Sequence, residues 1–223
     1  MRLRKIIVDL DQTLLDTKYR FYRVFNETLK ALGGEGIGWE EFYERYVKDA
    51  LDDVIPVGVG PATFWREFRR RFRTPPHPKD RMIPGAREAL AELKTMGLTI
   101  VVATGREVPV EVVWEELEVF GLADYVDEVY TLVQQDPSEE RVVFSRAGLI
   151  RRILRDNGVR ADETVFVGDY WVDMLSGSEA GVLTVGVLTG HEPPDKLKRW
   201  GARFIVDSIR DVPGRVRSVR KDP

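Results

Sequence analysis

The sequence contains no cysteine. That excludes disulfides, thiolate nucleophiles, cysteine-ligated zinc and iron–sulfur clusters together. Histidine is nearly as scarce: the two present, His77 and His191, have no metal-ligand spacing. Neither sign of charge dominates, because 34 Lys and Arg face 37 Asp and Glu for a net charge of −3. Nucleic-acid binding through a generally basic surface is therefore not expected. Long hydrophobic runs are missing as well. The opening MRLRKIIVDLDQ is basic and then apolar, but Asp9 and Asp11 cut the run off, well short of the ~7–15 residues of a secretory h-region. No stretch approaches the ~20 apolar residues of a membrane span. A cytoplasmic protein is expected. What is present is an ordinary globular balance, 43% hydrophobic and 32% charged over 223 residues, enough for one large domain or a domain plus a lesser one.

Short continuous apolar runs recur along the chain: residues 4–9, 98–103, 128–132, 164–167, 183–187 and 203–206. Such runs suit parallel strands buried on both faces. Helical periodicity separates most of them. Ala86–Met96, Pro109–Phe120, Arg146–Asn157 and Trp171–Ala180 each carry an apolar stripe, and each is followed by Gly, a helix-stop signal. Strands alternating with helices predict an α/β fold, a doubly wound parallel sheet. Residues 17–80 break the rhythm. They carry three helical patterns, at Tyr19–Leu32, Trp39–Leu51 and Thr63–Phe72, and no convincing strand. The simplest account is a helical domain at 17–80 inserted into a core domain formed by 1–16 and 81–223. The basic tail from Arg215 to Pro223 reads as a frayed, solvated terminus.

Three polar clusters follow predicted strands: Asp9-Leu10-Asp11-Gln12-Thr13, Thr104-Gly105-Arg106, and Gly168-Asp169 with Asp173. Ligands of open α/β sheets bind beyond the carboxyl ends of the strands. Asp9 and Asp11 are two apart in extended chain and point to one side. Asp173 lies one helical turn beyond Asp169. Four carboxylates gathered in one place repel, and without Cys or spaced His a hard cation is the natural remedy. Mg²⁺ suits oxygen donors and phosphate substrates. The Thr104 hydroxyl and the backbone N–H groups after it could hold phosphate oxygens, with Gly105 allowing close approach. Each cluster alone also reads as a turn or a helix cap; the joint occurrence in this order carries the functional reading.

DLDQTL, VVATGR and VGDYWVD resemble motifs one, two and four of the haloacid dehalogenase (HAD) superfamily. MIPGAREALAELKTMGLTIVVATGR and SEAGVLTVGVLTGH are similar to segments of its phosphatase branch, of the phosphoglycolate phosphatase kind, so the likeness covers most of the chain. The resemblance implies a Rossmann-like core with an α-helical cap inserted after motif one. It implies a phosphatase that hydrolyses a small phosphate monoester through an aspartyl-phosphate: Asp9 as nucleophile and Asp11 as general acid, then general base. Mg²⁺ would be held by the Asp9 carboxylate, the Asp11 backbone carbonyl and Asp169, with Asp173 binding directly or through water. Thr104 and Gly105 would hold the phosphoryl group. A phosphomutase of the β-phosphoglucomutase kind shares these features, and a catalytically silent protein on the same fold is the reading from another class.

Two departures from the family pattern stand out. The Lys of its third motif is missing, because no Lys lies between Lys94 and Lys196. Arg146 has the right place to supply the charge to phosphate, with Arg141 as the fallback. Gln12 stands where the family most often has Gly, and its side chain either alters the turn or points outward. Among other residues, His77 reads as an exposed linker residue and His191 as a loop hydrogen-bonding group or a substrate contact. Trp39, Trp65 and Trp114 read as packing, and Trp171 as lining a pocket mouth. Tyr19, Arg20, Tyr22 and Arg23 read either as a grip on the leaving group or as a solvated helix face. Arg69, Arg70, Arg71 and Arg73 read as a solvated face.

Overall fold

The computed structural model describes residues 2–221. In chain order, the strands are β1 (Lys5–Val8), β2 (Leu15–Asp16), β3 (Arg81–Met82), β4 (Thr99–Thr104), β5 (Glu128–Thr131), β6 (Thr164–Gly168), β7 (Leu183–Val187) and β8 (Phe204–Val206). The α-helices are α1 (Lys18–Ala31), α2 (Trp39–Val47), α3 (Pro61–Arg71), α4 (Ala86–Thr95), α5 (Val110–Val119), α6 (Ala147–Asp156), α7 (Trp171–Glu179), α8 (Pro194–Arg199) and α9 (Val212–Lys221).

Six strands form one sheet in the order β5-β4-β1-β6-β7-β8, and every pairing in it is parallel. The continuous apolar runs are explained by burial on both faces. Ile6 and Val8 pack on one side with Ile100, Val102, Val165, Val167 and residues of α4, α5 and α9. Ile7, Val101, Ala103 and Phe166 pack on the other with Leu149, Ile150 and Ile153 of α6. After β1 the chain builds β4 and β5 on one side, then crosses back to β6 on the other. The carboxyl end of β1 is therefore a switch point, where the diverging connections leave a crevice.

The chain divides into two compact units, with Thr17–Asp80 inserted between the two stretches that form the other. The inserted unit contains α1, α2 and α3. Its interior is aromatic: Phe21 packs on Phe68 with ring centroids 4.6 Å apart, and Phe25 on Phe64 at 5.2 Å. Helix α2 is shorter than its periodicity suggests. It ends at Val47, Asp49 takes a left-handed φ of 53°, and Leu51–Val54 forms a separate 3₁₀ turn.

The structure departs from expectation at Arg20, His77 and Arg69 and in the C-terminal tail. Arg20 is neither a grip nor a solvated residue. It is fully buried, with Nε 2.7 Å and Nη2 2.5 Å from Oδ2 of Asp80. Tyr22 donates to the Ile37 carbonyl at 3.1 Å, and Arg23 to the Thr74 hydroxyl at 2.7 Å. His77 is half-buried and stacks on Tyr19, and burial lowers its pKa. In the Arg69 run, Arg69 is buried, while Arg70 and Arg71 pair with Glu67. The tail from Arg215 through residue 221 is helical, with Val216 and Val219 in the core; Asp222 and Pro223 lie outside the described residues.

Candidate active site

The switch point gathers the polar clusters. Asp9 immediately follows β1, and its backbone N–H donates to the Val167 carbonyl of β6 at 2.9 Å. The pairing of β1 with β6 thus brings Asp9 beside Asp169, which follows β6. Asp173 sits in the first turn of α7, where its Oδ2 accepts the Tyr170 N–H at 3.1 Å. Carboxylate oxygens of Asp9, Asp169 and Asp173 all lie within 4.8 Å of one another, and all three residues are buried. The Thr13 hydroxyl donates to Asp169 Oδ1 at 3.1 Å. Two glycines make room for this packing: a Cβ at Gly168 would collide with the Asp173 carboxylate, and one at Gly190 with that of Asp169.

Arg146 provides the cation. Its Nη1 donates to Asp9 Oδ1 and its Nη2 to Asp173 Oδ1, and Nη1 also reaches the Ala103 carbonyl at 2.8 Å. The backbone around it is tied down. The Arg146 N–H donates to the Ser176 hydroxyl at 2.9 Å, and the side-chain amide of Gln135 bonds Ser145 and Leu149, each at 2.8 Å. Arg141, the fallback, is exposed. Phe144 holds a left-handed φ of 71° with its N–H on Glu140 Oε1 at 2.7 Å. A strained non-glycine residue beside a polar cleft is a recurrent feature of functional sites.

Three acids and one guanidinium leave excess negative charge in a buried place. Burial pushes the Asp9 carboxyl up to about 7; Arg146 opposes this, while Asp173 and Asp11 add to it. Asp169 is raised well above the usual carboxylate range by burial, then by Asp173 and Asp9, with the Thr13 hydrogen bond opposing. Burial acts to lower Arg146, but the charges of Asp173 and Asp9 outweigh it and hold the group above its ordinary value. A cluster of hard oxygen donors that resists full ionisation fits a divalent cation, which would supply the missing positive charge.

The fourth carboxylate is placed otherwise than expected. Asp11 does not join the cluster; its carboxylate is turned to Arg106, which contacts both of its oxygens at 2.8 and 2.6 Å. The sequence singled out Arg106 only as part of TGR, and Glu116, its second partner at 2.5 Å, escaped notice. Burial acts to lower Arg106, but Asp11 and Glu116 outweigh it and hold it above its ordinary value. Thr104 is buried, and its hydroxyl accepts the Arg106 N–H at 3.2 Å. Gly105 is half-buried, and a Cβ there would meet only the Phe144 ring, at 3.7 Å. Gln12 does not point outward: it is buried, with a φ of 60° that explains why Gly is the commoner residue in this turn. Trp171 packs on Trp200 at 4.5 Å, and the His191 ring lies 5.5 Å from Tyr170.

A family model described as haloacid dehalogenase-like hydrolase matches residues 6–187. The phosphoglycolate phosphatase of Vibrio parahaemolyticus is 25% identical, covering 94% of this chain and 94% of that protein. The N-acetylmuramic acid 6-phosphate phosphatase of Pseudomonas aeruginosa is 26% identical, covering 95% and 94%. The crystal structure of a predicted phosphatase from Clostridium acetobutylicum superposes with a TM-score of 0.77 at 19% identity, covering 98% of this chain and all of that one; at that identity it shows the shared fold.

Proposed function

Because the chain belongs to the haloacid dehalogenase-like hydrolase family, we propose that it is a Mg²⁺-dependent phosphatase acting on a small phosphate monoester through an aspartyl-phosphate. The observation that carries this reading is the convergence of buried Asp9, Asp169 and Asp173 around Arg146 at the switch point of the sheet. The named relatives, phosphatases of small phosphorylated compounds, support it.

Asp9 and Asp169 would hold the cation through their carboxylates and Asp11 through its backbone carbonyl, with Asp173 bound directly or through water. Held there, the ion would supply positive charge against the phosphoryl oxygens, so that Asp9 could face an anionic substrate as a carboxylate. Asp9 attacks phosphorus, and the bond from phosphorus to the ester oxygen breaks. Asp11 gives its proton to the departing alkoxide. Water then attacks the same phosphorus, Asp11 takes the water proton, and the phosphorus–Asp9 bond breaks to release phosphate. Such a proton-transfer group is typically worth about 10²–10⁴ in rate. Thr104 and Gly105 cradle the phosphoryl oxygens, and Arg146 takes the place of the third-motif Lys, its planar fork spanning two carboxylates where an ammonium acts as a point charge. The inserted helical unit at 17–80 is the cap of this reading, in which substrate selectivity resides.

Phosphate release from p-nitrophenyl phosphate and a panel of small phosphate esters, with Mg²⁺ and with EDTA, tests the proposal. Release that requires the metal is expected. No release from any ester by folded, Mg²⁺-supplied protein would contradict it, and isomerisation of a sugar 1-phosphate without phosphate release would point to the mutase.

A further inference from the structure

We propose that Arg106, anchored by Glu116, is a positioning residue that orients the Asp11 carboxylate toward the leaving-group oxygen. This rests on the phosphatase reading above.

Arg106 is unusually well fixed for a residue just beyond a strand. Its N–H bonds the Thr104 hydroxyl at 3.2 Å, and its carbonyl accepts the Leu132 N–H at 3.0 Å. Its side chain is 4% exposed. Nε meets Asp11 Oδ2 at 2.8 Å and Nη2 meets Oδ1 at 2.6 Å. Two parallel bonds of this kind set the plane of a carboxylate as well as its distance. The other edge of the fork is held by Glu116 of α5, with Nη1 at 2.5 Å from Oε2 and Nη2 at 3.4 Å from Oε1. Glu116 is 3% exposed, whereas the Asp11 side chain retains 27% exposure. Of the three charged groups, Asp11 is thus the one with access to a reactant.

Glu116 has a function that a plain core ion pair would not need. A buried guanidinium that loses its partner is strongly destabilised. With Glu116 in place, Arg106 keeps a charge partner while Asp11 carries the proton that it gives to the leaving group. The guanidinium can then hold the direction of Asp11 in both of its protonation states.

The test compares two esters of similar shape, phenyl phosphate and p-nitrophenyl phosphate, in Mg²⁺. Phenolate is the more basic leaving group and depends more on a well-placed proton donor. kcat/KM for both is measured in the full-length wild type, Arg106→Gln, Arg106→Lys, Glu116→Gln and Asp11→Asn, with melting temperatures alongside. Arg106→Gln is expected to lower the phenyl-to-nitrophenyl ratio about tenfold, a part of the ~10²–10⁴ that the proton-transfer group itself is typically worth. Arg106→Lys should recover part of the ratio, and Arg106→Gln added to Asp11→Asn should leave it where Asp11→Asn alone puts it. Equal losses on both esters, with or without a lower melting temperature, would make Arg106 a structural ion pair and overturn the inference. Should Arg106→Gln fail to fold, Glu116→Gln decides in the same way: a lowered ratio supports the inference and an unchanged one overturns it. A wild type that turns over neither ester removes the phosphatase reading and this inference with it, whereas wild-type turnover with equal losses removes this inference alone.

Discussion

Asp9 and Asp169 hold their protons more tightly than exposed carboxylates because burial opposes their charge. For Asp9 the ordinary value of 3.8 becomes about 7 in the folded protein. Between those values the unfolded chain has released the proton while the folded chain retains it. Stability contributed by this group therefore declines as pH rises from about 4 to about 7, since the unfolded state binds fewer protons there. A divalent cation acts in the opposite sense, binding the ionised carboxylates of the folded state and stabilising it by mass action. The rise in melting temperature on exchanging EDTA for Mg²⁺ should accordingly be larger at pH 7.5 than at pH 5. Scanning calorimetry in the two buffers measures this directly; an equal rise at both pH values would separate the metal from these acids. Asp9 and Asp169 were legible in the sequence because each follows a continuous apolar run, and such runs end where a parallel strand meets solvent. Arg106 as the partner of Asp11 was not, because their pairing joins side chains 95 residues apart across two strands. Glu116 did carry a signal. It falls between Val113 and Leu117 on the buried stripe of α5, while Glu115 and Glu118 lie off it. A charged residue on an apolar stripe calls for a buried partner.

The elements of the sheet follow the sequence closely, since a strand apolar on both faces leaves little choice of layer. The inserted helices follow it less well. Periodicity runs α2 on to Leu51, but the left-handed turn at Asp49 ends the helix first. The small ribbon of β2 and β3 is only two residues a side and carries no alternation to detect. Arg20 looked surface-exposed by residue type and spacing, yet the first turn of α1 buries it against Asp80 at the far end of the same unit. Asp80 also accepts the His77 N–H at 2.8 Å, so this pair joins the start of the unit to its last residues. Arg20→Met removes the buried Arg20 cation from Asp80 and should cost about 3–5 kcal/mol. The double variant Arg20→Met/Asp80→Leu should cost less, because neither charge is then stranded. Urea unfolding of the three proteins checks the order; a double variant less stable than Arg20→Met would contradict this account of the pair.

At the scale of the whole molecule, the proposed function assigns recognition of the phosphoryl group and recognition of the rest of the substrate to different parts of the chain. The carboxylates, Arg146 and the Thr104 segment sit on strand ends and first helical turns, and in that proposal they would address chemistry common to every phosphate monoester. Relatives of similar identity act on compounds as different as phosphoglycolate and N-acetylmuramic acid 6-phosphate, consistent with a shared core chemistry and a variable surround. Among the described residues no helix is long and apolar enough to cross a membrane. The account stands on Asp9 forming a covalent bond to phosphorus. The most direct measurement mixes the protein and Mg²⁺ with p-nitrophenyl [³²P]phosphate, quenches in acid within the first turnover and maps the label by peptide digestion and mass spectrometry. The account predicts label on the peptide containing Asp9, absent from folded Asp9→Asn, which should also release no phosphate. Label on another residue, or wild-type phosphate release by Asp9→Asn, would contradict it.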